Sequence, residues 1–332
     1  MTIRVEVCRT AAEIARFPTV ASLQHFNPGD FESQRADLHL CALGESGEVQ
    51  ARCSLWWKEV PRHEQHHVGT IGHYAAANDA AANAVLTEAE NYLRAADCTL
   101  AIGPMNGNTW RSYRFVTEQG EYPSFFLEPS NPKEWPAQFV QAKFTPLASY
   151  FSAINNDLSL IDSRIEASEK RMAKAEVLLR SANSDLQREL AGIYAVSRVS
   201  FKNNFLYTEL PEADFAAMYA PVLPHTRPEL VLIAERDRHC VGYLFAIPNL
   251  AQAARGESID TFIIKTVAIL PETELNGLGS LLVARAQRIG HDLGFRRCIH
   301  ALMFENNISL NISRHYASIM RRYTLYSKDL AQ

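Results

Sequence analysis

The chain has 332 residues, of which 33 are Lys or Arg and 37 are Asp or Glu, for a formal net charge of −4. That balance argues against a protein that neutralises a nucleic-acid backbone, because such proteins concentrate basic residues. A composition 47% apolar and 21% charged belongs to a globular chain long enough for two cores, neither disordered nor fibrous.

The N-terminal MTIRVEVCRTAAEIARF reads as an alternating strand followed by a helix, without the continuous apolar core of a signal peptide. No run anywhere approaches the ~20 apolar residues that a membrane span needs, so a cytoplasmic protein without a membrane partner is expected. LHLCALGESGEVQARCSLWW, residues 38–57, carries two β-rich runs around a Gly/Ser/Glu turn, the pattern of a hairpin. PRHEQHHVG then places His63, Glu64 and His67 in H-E-x-x-H spacing. Zinc chemistry with that spacing needs a helix, and Pro61 with a following strand predicts a solvated loop instead, so no metal site is expected. The strand GTIGHYAAA at 69–77 leads into a helix opened by Asn78 or Asp79, with its apolar stripe at Val85, Leu86, Ala89 and Leu93. TLAIG at 99–103 is a short strand. After it comes AIGPMNGNTWRSYRFV, whose Asn-Gly turn does not account for the cluster Asn106, Asn108, Trp110, Arg111, Tyr113 and Arg114. Those side chains suit recognition of a polar or acidic substrate through hydrogen bonds and Arg forks, or pack an interface between domains. The proline-rich LEPSNPKEWP, a helix and a strand close the first half.

The charged segment 157–176 has helical composition and separates this half from a second with the same order of elements. LVLIAERDRHCVGYLFAIP at 230–248 is a hairpin, TFIIKTVAIL at 261–270 a strand, and Leu278, Leu282, Ala286, Ile289 and Leu293 mark an amphipathic helix that Gly294 stops. RRCIHALMF at 296–304 and a final helix and strand complete it. The six cysteines are widely spaced with no C-x-x-C, which indicates neither a disulfide framework nor a zinc ribbon. The whole reads as an α/β (α+β) chain of two tandem domains, 1–152 and 153–332, each a mixed, mostly antiparallel sheet flanked by helices.

Between the strand and helix of the second half, Asn276, Gly277, Leu278, Gly279 and Ser280 could present consecutive amides to a pyrophosphate at a helix N-terminus. A Walker loop is excluded because Gly279 precedes Ser280 and Leu281 rather than Lys, and a dinucleotide fingerprint is excluded by Leu282 in place of its third glycine. The first half has no glycine at the matching place.

The stretch TVAILPETELNGLGSLLVARA, with HALMFENNISLNISRHY downstream, resembles the GNAT superfamily of acyl-CoA N-acyltransferases, in its large tandem type. One departure is Glu274, where the family has Gln or Arg. The resemblance covers about 184–328 and implies acetyl-CoA or another acyl-CoA as cofactor. Its pyrophosphate would lie on the 276–280 amides, its pantetheine arm along Val267, Ala268 and Ile269, with contacts from Asn306, Asn307 and Ser309. Asn306 and Asn307 read equally well as a turn and helix cap. The implied activity is direct acyl transfer to the amine of a small metabolite or amino acid, with the first half on the substrate side.

Transfer from a thioester to an amine needs a neutral amine, close approach, oxyanion stabilisation and a proton for the thiolate. The backbone N–H of Ala268 or its neighbour is a candidate oxyanion donor. Tyr316 is the candidate proton donor, one turn beyond the position where the family often has a Tyr. Many relatives carry a Glu on the strand before the glycine loop, but TFIIKTVAIL has only Lys265 and two Thr, so Glu305 and His300 are the candidate bases. A covalent route through Cys298 lacks a nearby base. The alternatives are a noncatalytic CoA-binding or acyl-sensing protein, and a Fem-like transferase with an aminoacyl-tRNA donor.

Overall fold

The structure, a computed structural model, describes residues 3–9, 13, 33–160, 165–305 and 317–331. In the first half, β1 (Arg4–Cys8), β2 (Leu38–Leu43), β3 (Val49–Trp56) and β4 (Val68–Ala76) form an antiparallel meander. Helix α1 (Asp79–Ala95) follows, capped by Asn78 Oδ1, which accepts the Ala81 N–H at 2.9 Å. It returns the chain to β5 (Leu100–Gly103), parallel to β4. After β6 (Phe115–Glu118) and α2 (Glu134–Gln141) comes the long strand β7 (Thr145–Asn155).

Helix α3 (Ile165–Lys174) and β8 (Leu178–Ser181) lead through α4 (Leu190–Ser200) and α5 (Glu212–Tyr219) to the hairpin β9 (Val231–Arg236) and β10 (His239–Pro248). A short α6 (Leu250–Ala254) precedes β11 (Thr261–Ile269). Helix α7 (Leu278–Asp292) then crosses to β12 (Arg297–Phe304), parallel to β11, and β13 (Ser318–Asp329) ends the described chain.

The strands join into a single sheet in the order β1-β2-β3-β4-β5-β13-β7-β12-β11-β10-β9-β8, with β6 also paired to β13. The centre of that order is an exchange. The C-terminal β13 pairs with β5 of the first half, while β7 pairs with β12 of the second, and the two cross antiparallel to each other from Ser318↔Ile154 to Ser327↔Thr145. Each half is thus completed by a strand from the other.

Apolar faces decide which helices cover the sheet. In the first half α1 buries Val85, Leu86, Ala89 and Leu93 against Leu40, Ala51 and Leu55. In the second, α7 buries Leu278, Leu282 and Ala286 against Leu244, Phe262 and Ile264 on one face, and α4 and α5 pack Ile193, Val196 and Phe215 against Tyr243, Phe245 and Ile263 on the other. Fully burying a Leu of this kind contributes about 1.5–3 kcal/mol. The predicted hairpins, strands and crossover helices agree with these elements to within a residue or two at their ends. His63 and His67 sit in a turn before β4, where His63 bridges His66, and no metal-ligand cluster is present among the described residues. No described helix is long and apolar enough to cross a membrane.

Candidate active site

The site grows from a fault in the sheet. Parallel pairing of β11 with β12 runs only from Thr261↔Arg297 to Ile264↔His300. Directly beyond, both strands are irregular. On β11, Thr266 pairs with Phe245 and Ile264 with Ala246, so Lys265 is the extra residue of a bulge. On β12 the register against β7 shifts between His300 and Met303, and Leu302 has φ +59°. A bulge bends its strand away from its neighbour. Two facing bulges open a wedge, and a cavity of about 1080 Å³ fills it. That volume suits a small-molecule site, which typically spans ~300–1,000 Å³.

Ile264 and His300 lie among the residues that line the closed end of the wedge, and Lys265, Thr266, Val267, Ala268 and Ile269 line one side. Gly279 and Val283 of α7 border it, Ser200 and Phe201 come from the end of α4, and the first half contributes Trp110, Arg111, Tyr113, Arg114 and Glu128.

Ladder parity selects the amides that face the gap. The Leu270 N–H donates to Val241 O at 2.9 Å, toward β10. Alternation along an antiparallel strand turns the Ala268 N–H the same way and those of Val267 and Ile269 toward the wedge. Ser200 Oγ donating to Ile269 O at 2.6 Å agrees with that direction. Of the two options read from sequence, Ala268 or its neighbour, the neighbours therefore turn their N–H groups to the wedge.

At the mouth, α7 starts with Gly277 at φ +93°, a left-handed conformation that suits glycine. A Cβ there would lie 2.7 Å from Ser168 Oγ of α3, so the glycine is required by the loop and its packing in the first place. Among the described residues the N–H groups of Leu278, Gly279 and Ser280 donate to no partner, as at the first turn of any helix. Arg171, also on α3, donates from Nη1 to Asn276 O at 2.7 Å, which brings a cation to the loop. Glu274 is exposed in the 3-10 turn Thr273–Leu275 and accepts from Thr273 Oγ1 at 3.4 Å. An anionic pyrophosphate fits this end: free amides, the positive end of a 15-residue helix and a nearby guanidinium.

Inside the cavity the charged groups are unevenly matched. Lys265 has no hydrogen bond or ion pair with a described residue; burial, reinforced by Arg114 and opposed by Glu128, lowers its pKa to about 8. The Arg114 guanidinium packs on the rings of Tyr113 and Tyr150, 4.0 and 4.2 Å from their centroids, the two rings standing edge to face. The Glu128 side chain is buried, ion-paired with Arg321 and hydrogen-bonded by Tyr323, which in turn meets Ser152 Oγ at 2.9 Å. Burial raises the Glu128 pKa in spite of those partners. His300 is 4% exposed with Nε2 3.2 Å from Gln287, and burial lowers its pKa to about 4, so its imidazole is neutral near pH 7.

The residues singled out from sequence separate clearly. Val267, Ala268, Ile269, Gly279 and His300 line the cavity, and Asn276, Gly277, Leu278 and Ser280 form the loop at its mouth. Trp110, Arg111, Tyr113 and Arg114 also line it. Trp110 is anchored by Nε1 donating to Thr208 O at 2.7 Å, and Arg111 is spent largely on the carbonyls of Gln34 and Ser33. Asn106 and Asn108 do not reach the cavity: Asn106 Oδ1 accepts the His73 N–H at 2.8 Å and Asn108 Oδ1 the Trp110 N–H at 3.0 Å. Glu305 follows the end of β12, outside the cavity lining, and is paired with Arg322. Cys298 is fully buried, off the cavity, and burial pushes its thiol well up. Asn306, Asn307, Ser309 and Tyr316 lie outside the described residues. Sequence reasoning passed over Lys265 as a mere absence of Glu and did not reach Glu128, Tyr150 or Arg171.

The first half carries the matching fault, but closed. β4 and β5 pair only from Val68↔Leu100 to Thr70↔Ile102, and His73 on β4 has φ +48° beside a register shift. Here the following Met105–Asn106 turn occupies the gap: Met105 N donates to Ile71 O at 2.8 Å, Asn106 takes the His73 amide, and a Cβ on Gly72 would collide with Met105 O. The same segment then runs on to supply Trp110, Tyr113 and Arg114 to the open wedge.

No protein-family model and no curated protein sequence matches the chain. Solved structures do. The chain is similar over 100% of its length to 99% of a tandem GNAT protein from the clavulanic acid biosynthesis pathway, with TM-score 0.53 and 10% identity. It is similar over 99% of its length to 96% of a GCN5-related N-acetyltransferase from Sphaerobacter thermophilus, with TM-score 0.54 and 11% identity. It also matches a GCN5-related glucosamine N-acetyltransferase region of a fungal multi-domain GH3 beta-N-acetylglucosaminidase at TM-score 0.57 and 13% identity, spanning 38% of that longer chain. These likenesses show the fold: the chain has the fold of GCN5-related N-acetyltransferases, in its tandem form.

Proposed function

We propose that the protein transfers an acyl group from acetyl-CoA or another acyl-CoA directly to the amine of a small molecule, with both reactants in the wedge between β11 and β12. The observation that carries this reading is the open wedge with the N-terminus of α7 at one end and buried charged groups at the other. Leu278, Gly279, Ser280 and Arg171 would hold the pyrophosphate, and Val267 to Ile269 the pantetheine arm. The bound thioester supplies an activated carbonyl.

The chain's own groups support the remaining requirements. The Val267 and Ile269 N–H groups, fixed by the ladder, are positioned to stabilise negative charge developing on the carbonyl oxygen without reorganisation. Among the described residues Glu128 is the carboxylate on the cavity wall, and its raised pKa makes it a better acceptor for the proton of an incoming ammonium than an ordinary surface carboxylate. His300, already neutral, is a weaker base with a pKa of about 4. The first half, its own wedge filled, serves as the wall of the acceptor side.

The test is release of free CoA thiol from acetyl-CoA and longer acyl-CoAs in the presence of a panel of amines. Turnover with at least one amine is expected. Binding of CoA without turnover across the panel would move the assignment to an acyl sensor, and absence of CoA binding would remove both.

A further inference from the structure

We propose that the acceptor is an amine that carries its own carboxylate, held by Arg114 and Lys265; this deepens the acyl-transfer reading and rests on it. Arg114 is built into place. Its backbone is in the left-handed region at φ +68°, its N–H donates to Pro104 O at 2.9 Å, and the residue is 7% exposed with its guanidinium against the two tyrosine rings. The two rings stand edge to face, 5.6 Å apart, and together they hold the guanidinium from two adjoining sides. Its Nη1 reaches Leu302 O at a long 3.5 Å, and Nε is buried with no partner among the described residues. A planar fork whose position is fixed and whose donors are only weakly engaged matches the two oxygens of a carboxylate.

Lys265 supplies the second charge. As the extra residue of the β11 bulge it lines the same cavity, and it is coupled electrostatically to Arg114. Burying two cations together is unfavourable unless an anion joins them. Among the described residues lining the cavity the anion is Glu128, but that carboxylate is already shared with Arg321. Among the described charged residues lining the cavity, Arg111, Arg114 and Lys265 therefore outnumber one carboxylate that also answers Arg321. A carboxylate is favoured over a phosphate group because Glu128 repels a dianion more strongly while attracting the acceptor's ammonium. An amino acid zwitterion places each of its charges against an opposite one.

The experiment compares amino acids, their primary amides and the corresponding amines without a carboxyl group on the full chain. Binding is followed by titration calorimetry without CoA, and turnover by thiol release with acetyl-CoA. The carboxylate-bearing members are expected to exceed their amides by at least about 100-fold in kcat/KM, because the amide leaves the buried cations unmet. Arg114→Met and Lys265→Met should each reduce that preference by at least about tenfold. Both should keep CoA affinity within about threefold, which shows that they fold, since the pyrophosphate end lies elsewhere. Amides performing as well as acids, phosphate-bearing amines performing better, no amino acid binding, or both variants retaining the preference would each overturn the proposal. Loss of CoA binding in the wild type would instead sink the acyl-transfer reading, and the calorimetry without CoA would still decide on the carboxylate.

Discussion

Replacing Lys265 with Met should make the protein more stable. The ammonium is held at a bulge, against the repulsion of Arg114, and its pKa falls from 10.5 to about 8. At 1.36 kcal/mol for each tenfold change in the proton equilibrium, that fall corresponds to roughly 3 kcal/mol against the charged form. Lys265 faces a cavity rather than packed chain, so water inside recovers part of it, and about 1–3 kcal/mol is the gain expected from Met. The sign of the pH dependence follows from proton counts. Between pH 8 and 10.5 the unfolded chain keeps the proton that the folded chain has released. Wild-type stability therefore rises across that window relative to the variant, and the variant's advantage is full below pH 8 and shrinks above it. Urea unfolding of both proteins at pH 7 and near pH 10 measures the difference. A variant no more stable at pH 7, or a gap that does not change with pH, would refute the assignment of Lys265 as an uncompensated cation.

Three other outcomes are expected. Gly277→Ala should cost about 1–3 kcal/mol, from its left-handed backbone and the clash with Ser168 Oγ, and adding Ser168→Gly should restore the steric part in thermal melts. Arg171→Ala should weaken CoA binding about three- to tenfold by calorimetry, and less so at high salt, because an exposed cation near a phosphate is screened. His39, His73 and His300 are buried with pKa values lowered to about 4, 3 and 4, so the unfolded chain takes up protons first as pH falls below 6.5. Stability should decline steeply from pH 6.5 toward 4, by several kcal/mol in all, and His300→Gln, which cannot titrate, should flatten part of that slope in denaturant series.

Local pattern carried most of the fold into view. The hairpins at 38–57 and 230–248 are read from two apolar runs around a turn, and α1 and α7 from stripes spaced three or four apart, because each depends only on neighbouring residues. The exchange of β7 and β13 is of another kind. An apolar strand does not encode which edge it joins, and nothing in TPLASYFSAIN separates a partner in its own half from one 150 residues away. The site divides along the same line. The glycine loop and Arg114 announce themselves by residue type, whereas Lys265 acquires its role from a register shift and Glu128 from burial beside Arg321, both products of tertiary packing. Asn106 and Asn108 illustrate the reverse: polar residues in a suggestive cluster that serve backbone amides, one of them sealing the first wedge.

The most direct test of the account is the stoichiometry of acetyl-CoA binding to the intact chain by titration calorimetry. One open wedge and one filled by the Met105–Asn106 turn predict a single site per chain, lost in Gly279→Trp and unaffected by changes to the first half's turn. Two sites per chain would contradict the closed first wedge, and none would contradict the function proposed for the open one.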